Sequence, residues 1–507
     1  MIKASTVKKI IRGILFAGLF CFQPHLFAQE MLGLSQGNYS GVNSILSNPA
    51  MLTNTRNYFD INFIGLDFFT RNNIVYIPGN DYNIWKAIHQ DELPTYGDEN
   101  QNMLYYKNQQ NKSTTTNLKV LGPSAMMQFG DHAIAISTTA RVYVSGNNIS
   151  WEMPVLGIEG LDFEPLLNVN YDDYDIDFTT AEWFETGLSY AYNIHKRMDN
   201  KITVGITVKK LWGVSGAYSV VNNANYIVLN DSTINILNLN GEAGFSTPVD
   251  YNTSAIPDDG PTIKGSGLGI DIGAVFIKQK YVGTKKLKRL CGQRYEDYIY
   301  RVGVSILDIG RLKYKHNAQR HSYDDVSVFW QNFDTINYNS INQSVAELSE
   351  VFYGDPTASY RGDVIKIGLP TAISIQGDYH FKKNFYLGAF WIHPIRFNKR
   401  TMRRPAQLAI IPRYESKFID VNIPISLYDY HYPRIGLSAR FYFLTIGTER
   451  LGTWVGLADF NGLDFYFSLK FSIGKGSCKK KIGDGACSNA EFGYSDKEKL
   501  MFRNHKK

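Results

Sequence analysis

The side chains from which chemistry would be expected are scattered along this sequence. His195, His380, His393 and His431 stand singly at the ends of predicted strands, without the spacing that lets two ligands reach one metal. Cys478 and Cys487 resemble no zinc knuckle, although they are spaced to pair in an oxidising compartment. No Gly-x-Ser-x-Gly elbow and no His-Glu-x-x-His helix is expected. Gly265-Ser266-Gly267-Leu268-Gly269 lies within an alternating strand rather than ahead of a helix, so it cradles no phosphate. Arg361-Gly362-Asp363 starts a strand. The expectation is no catalytic residue, no metal, no cofactor and no enzyme.

Charged residues are more informative, because of the phase in which they recur. Ile202, Val204, Ile206 and Val208 alternate with Thr203, Gly205, Thr207 and Lys209. Residues 419–428 and 464–473 repeat the pattern, with Ile, Val, Leu and Phe on one face and polar groups on the other. Arg141, Glu185, Lys209, Asp271, Arg301, Lys366, Asp378, Asp420, Arg434, Arg440, Asp464 and Lys470 all fall in the polar phase. A charge facing lipid costs several kcal/mol near the bilayer centre, so this phase marks a lumen. Interspersed signs point to an ion-paired network that fixes a plug, with an aqueous pore as the other reading.

These charges require long strands around a closed lumen. Strands are predicted at 58–69, 116–130, 132–145, 182–196, 201–213, 263–278, 297–312, 363–380, 384–396, 404–415, 418–429, 433–441, 443–450 and 461–474. The fold class is therefore all-β, a transmembrane antiparallel barrel of about 14 strands with an N-terminal plug. Should the hairpin near 441–443 or the segment 443–450 fail, the count becomes about 12 or 16. Tight turns are expected at Gly130-Asp131, Met198-Asp199-Asn200 and Lys382-Lys383-Asn384, and long polar connections at 70–115, 146–181, 214–262 and 313–362. Pro123, Pro370, Pro412 and Pro424 each remove a ladder donor in a sheet without edges, so bulges are expected at them. Gly122-Pro123 is the candidate gap in the wall.

The N-terminus reads as an address. Lys3, Lys8, Lys9 and Arg12 precede the apolar stretch Ile14 to Phe22, and Ala28 is placed to end a signal peptide. Cys21 offers a rival reading as an acylation site, against which the bulky Phe20 speaks. The expected organisation is 1–28 signal peptide, 29–57 periplasmic plug, 58–474 barrel and 475–507 basic periplasmic tail. The 14% aromatic content suits an aromatic-girdled barrel, and a net charge of +6 over 507 residues gives nucleic-acid binding no support. Lys278, Lys280, Lys285, Lys286, Lys288 and Arg289, and the basic tail, would face the periplasm.

The segment from Gly33 to Leu52, centred on Asn48-Pro49-Ala50, resembles the N-terminal hatch of the long-chain fatty-acid transporter (FadL) superfamily. The resemblance implies a hatch folded inside a fourteen-stranded barrel, with a kinked strand giving ligands lateral access. Ile411-Pro412-Arg413-Tyr414-Glu415-Ser416, Leu427-Tyr428-Asp429-Tyr430, Thr445-Ile446-Gly447-Thr448 and Gly462-Leu463-Asp464-Phe465-Tyr466 resemble uncharacterised FadL-like barrels of Bacteroidota. Taken by itself, Ser47 or Asn48 caps a helix whose first residue is Pro49.

Two functions follow as expectations for a protein of the cell outer membrane. One is a barrel that binds or passes a hydrophobic small molecule. The other is a non-transporting barrel that scaffolds a secretion, gliding or assembly complex; the resemblance extends to barrels that serve type IX secretion. The expected partners are outer-membrane lipid, the small molecule, and a periplasmic or secretion-complex protein, with no nucleic acid.

Overall fold

The computed structural model describes residues 30–473, apart from most of 80–102, residue 198, most of 254–261, and the stretches 281–297 and 333–339. The residues expected to form a signal peptide, Cys21, the basic residues Lys285, Lys286, Lys288 and Arg289, Cys291, Cys478, Cys487 and the basic tail lie outside the described residues.

Fourteen antiparallel staves close into a barrel. In order they are β1 (Phe59–Asn72), β2 with β3 (Lys112–Leu121, Ser124–Phe129), β4 (His132–Ile149), β5 (Asn170–Arg197) and β6 (Asn200–Asn230). After β7 (Thr233–Ser246), which pairs with the far end of β6 and stands outside the ring, come β8 (Gly265–Gln279) and β9 (Tyr298–Tyr314). Beyond β10 (Ala318–Gln331) and β11 (Tyr360–Gly362), the eighth stave is β12 with β13 (Ile365–Gly368, Ala372–Lys382). The rest are β14 (Phe385–Pro394), β15 (Gln407–Glu415), β16 with β17 (Ile419–Asn422, Ile425–Tyr428), β18 with β19 (Tyr432–Ile435, Leu437–Phe441), β20 (Leu444–Thr448) and β21 (Gly462–Ile473). β21 pairs with β1, from Phe59 opposite Ile473 to Arg71 opposite Gly462, which closes the ring.

Burial is inverted relative to a soluble protein. Leu188 is 65% exposed and Ile136 52%, while Asp60, Asp67 and Asp464 are wholly buried. Water would not support that arrangement, but lipid does. Among the described residues no helix is long and apolar enough to cross a membrane; the chain crosses by strands.

The two ends of the barrel differ. Among the described residues, one carries tight connections at 130–131, 383–384, 416–418 and 442–443, whereas the other carries the long ones together with the tight turn at 429–431. Three of the expected polar connections, 146–181, 214–262 and 313–362, prove to contain long strands. β5 and β6 run to 28 and 31 residues, and with β7 and β10 they continue as a sheet beyond the barrel. Tyr, Asn and Val alternating in water pair by backbone and need no apolar face, so hydropathy phase does not reveal them. Helix α1 (Glu152–Glu159) packs on this sheet through Val155 and Leu156, beside Tyr171 and Val228.

Three of the four strand prolines sit where a stave breaks: Pro123 between β2 and β3, Pro370 between β12 and β13, and Pro424 between β16 and β17. Pro412 remains inside β15, and its carbonyl accepts Ile423 N–H at 3.1 Å beside the break at Pro424. The break at Pro370 also reverses side-chain phase. Ser374, Gln376 and Asp378 point inward below it, while Ile365, Ile367 and Leu369 do so above it, in an apolar cluster with Trp183 and Tyr314. Lys366, expected in the lumen, is therefore exposed on the outer face: one continuous strand was assumed, and the bulge shifts the parity by one.

Candidate functional site

The lumen is filled from both ends. From the tight-turn end, residues 30–57 enter as a short helix (Leu32–Ser35) and two 3-10 turns (Gly41–Leu46, Pro49–Asn54), nearly all buried. Met31 and Leu34 pack against Leu121 and Tyr466, while Val42, Ile45 and Leu52 pack against Met126 and the alanines of β4. From the other end, the connection between β14 and β15 folds inward. Met402 N–H donates to Gly368 O at 3.1 Å and Tyr143 OH to Arg403 O at 2.9 Å. Arg404 then meets the start of the plug, with Nε 2.8 Å and Nη2 2.5 Å from the carboxylate of Glu30.

Asn48, Pro49 and Ala50 lie at the centre of the plug. Asn48 Oδ1 accepts Ala50 N–H at 2.9 Å, the capping geometry expected, although the turn that follows is 3-10 rather than α. Asn48 Nδ2 donates to Gln376 Oε1 at 2.9 Å and to the carbonyls of Val304 and Ala274 at 3.2 and 3.3 Å. This approach requires a wall without side chains, which Gly205, Gly273 and Gly303 supply. A Cβ on Gly205 would lie 2.4 Å from Ala50 N, and one on Gly273 would lie 2.1 Å from Asn48 Oδ1. On the lipid side of the same wall, Tyr190, Val204, Ile206, Ile272, Val304 and Ile373 border an apolar groove of about 490 Å³.

At Gly122-Pro123 the second stave loses its ladder with β1, between the pairs Gly65–Leu121 and Asn62–Ser124. β1 bulges opposite, and Phe63 and Ile64 both turn outward. On the β4 side the backbone stays tied, because Gly122 N–H donates to Thr138 O at 2.8 Å and Thr138 Oγ1 donates to Pro123 O at 2.9 Å. The carbonyls of Gly122 and Leu121 accept from Asn62 Nδ2 at 3.3 and 3.5 Å, and Gly122 O also accepts Ser124 Oγ at 3.0 Å. Asn62 Oδ1 in turn accepts Ser468 Oγ at 2.7 Å, and Ser468 Oγ accepts plug Asn43 Nδ2 at 3.3 Å. A chain of side-chain hydrogen bonds thus runs from the plug to the broken strand. Behind the break, a cavity of about 50 Å³ lies between Val42, Ile45, Leu46 and Leu121 on one side and charged groups on the other. That volume holds a water or two and no hydrocarbon chain.

Of the lumen charges expected from sequence, Arg141, Glu185 and Asp271 come together around a residue not anticipated, Asp308. Arg141 lies 3.0 Å from Asp308 and 3.6 Å from Glu185; Lys209 lies 2.7 Å from Asp308 and 2.8 Å from Asp271; Arg404 lies 3.6 Å from Asp308. Arg301 belongs to a second group, in which it and Arg413 share Asp378 at 2.7 Å, and Arg413 also pairs with Glu415 at 2.9 Å. The plug docks here, since Arg301 donates to Gln36 O at 2.8 Å and Asn38 Nδ2 to Glu415 at 2.6 Å. Asp420 and Arg440 pair with each other. Arg434 and Asp464 stand apart from these networks, toward the long-loop end. Arg413 and Glu415 share the polar phase of their strand, a signal sequence reading left unused, whereas Asp308 is in the wrong phase and turns inward through a bulge at φ +55°.

Gly33-Leu34-Ser35-Gln36-Gly37 spells Gly-x-Ser-x-Gly, a match the sequence reading passed over. Ser35 lies in a four-residue helix of the plug, and its hydroxyl donates to Glu30 O at 3.3 Å. Its partner is a backbone carbonyl rather than a base, so it has no triad geometry. Among the described residues no group of three or more His, Cys, Asp and Glu is placed to hold a metal.

Residues 49–449 match the model of a family of unknown function, DUF5723. No curated protein matches the chain. Among solved structures, it is similar to the TodX deltaS2S3 mutant monoaromatic hydrocarbon channel, at 10% identity and a TM-score of 0.42, over 88% of this chain and 99% of that one. It is also similar to a Pseudomonas aeruginosa FadL homologue, at 11% identity and a TM-score of 0.38, over 89% and 99%. A third is the Pseudomonas putida toluene transporter TodX, at 10% identity and a TM-score of 0.31, over 89% and 100%.

Proposed function

We propose the following reading of a chain that belongs to DUF5723, a family of unknown function: it is an outer-membrane barrel that admits a hydrophobic small molecule through the wall at Gly122-Pro123, under control of the plug. The observation that carries it is the hydrogen-bond chain from plug Asn43 through Ser468 and Asn62 to the carbonyls of Leu121 and Gly122 at the break, the second of which Ser124 Oγ also covers at 3.0 Å. In a bilayer an uncovered backbone group costs several kcal/mol, so the side chain that covers these carbonyls holds the wall shut. Withdrawing the plug residues Val42, Ile45 and Leu46 would uncover the break and enlarge the small cavity behind it. The state described is the closed one. Replacing Pro123 by Val restores a ladder donor and should slow uptake of hydrophobic substrates by cells. Unchanged uptake, together with an unchanged set of co-purifying proteins, would sink the lateral-gap reading.

A second reading has its own support. A lumen closed by ion pairs and by an inward connection suits a barrel that carries no cargo and scaffolds a secretion or assembly complex, with the sheet of β5, β6, β7 and β10 as the surface offered. Deleting residues 218–245 of that sheet should then abolish co-purification of a partner while leaving the barrel intact.

A further inference from the structure

We infer that Arg71, Arg434 and Arg450 form a binding site for a phosphate group at the long-loop end of the lumen. The inference is independent of whether apolar molecules pass the wall.

The three side chains come from β1, β18 and the residue that leads out of β20, and they are only 5%, 9% and 8% exposed. None of them forms an ion pair. Two of them stack instead: the guanidinium of Arg71 lies 3.6 Å from the ring centre of Tyr432 and 5.0 Å from that of Tyr428, and the guanidinium of Arg434 lies 3.8 Å from Tyr428 and 5.1 Å from Phe69. Stacking uses the face of a guanidinium and leaves its edge of N–H donors free. Arg434 Nη2 and Arg450 Nη1 are buried with no acceptor at all.

Of the nearby carboxylates, Glu449 is engaged and Asp464 is half engaged, its Oδ2 buried without a hydrogen-bond partner and out of ion-pair reach of the arginines. Asp464 Oδ1 accepts Glu449 N–H at 2.7 Å, and Glu449 accepts Leu32 N–H at 2.9 Å and Gln407 Nε2 at 2.7 Å. Asp429 pairs with Arg403 at 2.6 Å. Three fixed cations thus face two carboxylates whose oxygens do not reach them. A buried donor without an acceptor is costly, and an oxyanion with several oxygens relieves several donors together. Phosphate suits three forks better than a carboxylate, which has only two oxygens to share. Arg450 is already steadied by Asn461, which Tyr106 OH anchors at 2.8 Å, so the site is preorganised on one side.

The test uses the full-length barrel in detergent, titrated with inorganic phosphate, dodecyl phosphate and dodecanoate, and read by calorimetry. Saturable binding of a phosphate form is expected, weakened tenfold or more by Arg71→Met and by Arg434→Met, and weakened less by Arg434→Lys, which keeps charge but loses the fork. Lys399→Gln, in an exposed pair with Asp175, should leave it unchanged. Heat-modifiable mobility on gels checks that each variant is a folded barrel. Equal binding of both phosphates identifies a free anion as the ligand, whereas binding of dodecyl phosphate alone identifies a lipid headgroup. The site is refuted if neither phosphate binds saturably, if folded Arg71 and Arg434 variants bind as the parent does, or if dodecanoate binds as tightly as dodecyl phosphate.

Discussion

At the level of the plug, Arg141, Lys209 and Arg404 converge on Asp308, and Glu185, Asp271 and Glu30 complete their coordination. Toward the long-loop end, Arg71 and Arg434 lie on aromatic rings and Arg450 on Asn461, and none of the three pairs with a carboxylate. Both groups are buried and cationic. The first is closed by its own acids, which gives it a structural part: it ties the plug, the inward connection and five staves into one geometry. The second lacks acceptors, which suits it to bind something. Burial of charge is thus no guide to role until its partners are counted.

Four experiments would break or sharpen that contrast. The largest effect is expected from Asp308→Ala, which leaves three buried cations facing one another; breaking such a network costs about 3–5 kcal/mol. Denaturant unfolding in detergent should show the loss, and a parent-like midpoint would mean that the acids are redundant. Glu30→Gln comes next, because it loosens the bidentate contact that joins plug to inward connection. A cysteine placed at Ser47 should then react several-fold faster with an impermeant thiol reagent, by an opening of about 1–2 kcal/mol. Unaltered labelling would show that the docking of Asn48 suffices.

Arg434→Met should move stability by no more than about 1 kcal/mol, in either direction, since lost stacking is offset by removing an unpaired buried charge. A collapse like that of Asp308→Ala would erase the distinction between the two groups. The smallest effect concerns the sheet beyond the barrel, where burial and the neighbouring Asp173 push the carboxyl of Glu152 up to about 7. An acid whose folded value is raised favours the folded form most at low pH, and that contribution is lost as pH rises from about 4.5 to about 7. Hydrogen exchange in 150–173 should quicken across this window. Glu152→Gln should flatten the dependence, leaving Asp173 and Tyr226 as its neighbours.

The fourteen staves were legible because one physical rule governs them all. Lipid outside and a filled lumen inside force a period of two with charges in one phase, and that holds for Ile419 to Tyr428 as for Lys201 to Val208. The weak hairpin near 441–443 follows the same rule, with Tyr442 at φ +52° in the turn between β19 and β20. Gly122-Pro123 was legible as a break because a proline in an edgeless sheet must interrupt pairing.

What the sequence by itself determined, then, is the architecture and the identity of most inward charges, since these follow from local alternation and from the cost of charge in lipid. The tertiary structure decided which charges meet and which do not. Asp308 reaches the lumen only through a bulge that reverses its phase, and Lys366 leaves it by the shift at Pro370. Arg404 enters from a connection that folds inward, and the spacing of residues along a chain carries no record of such a path. Arg71 and Arg450 lie 379 positions apart and become neighbours of Arg434 because closing the barrel brings the first stave beside the last. Alternation fixes the side on which a residue points, but partners across a closed sheet depend on register, bulges and closure, which only the folded chain as a whole defines.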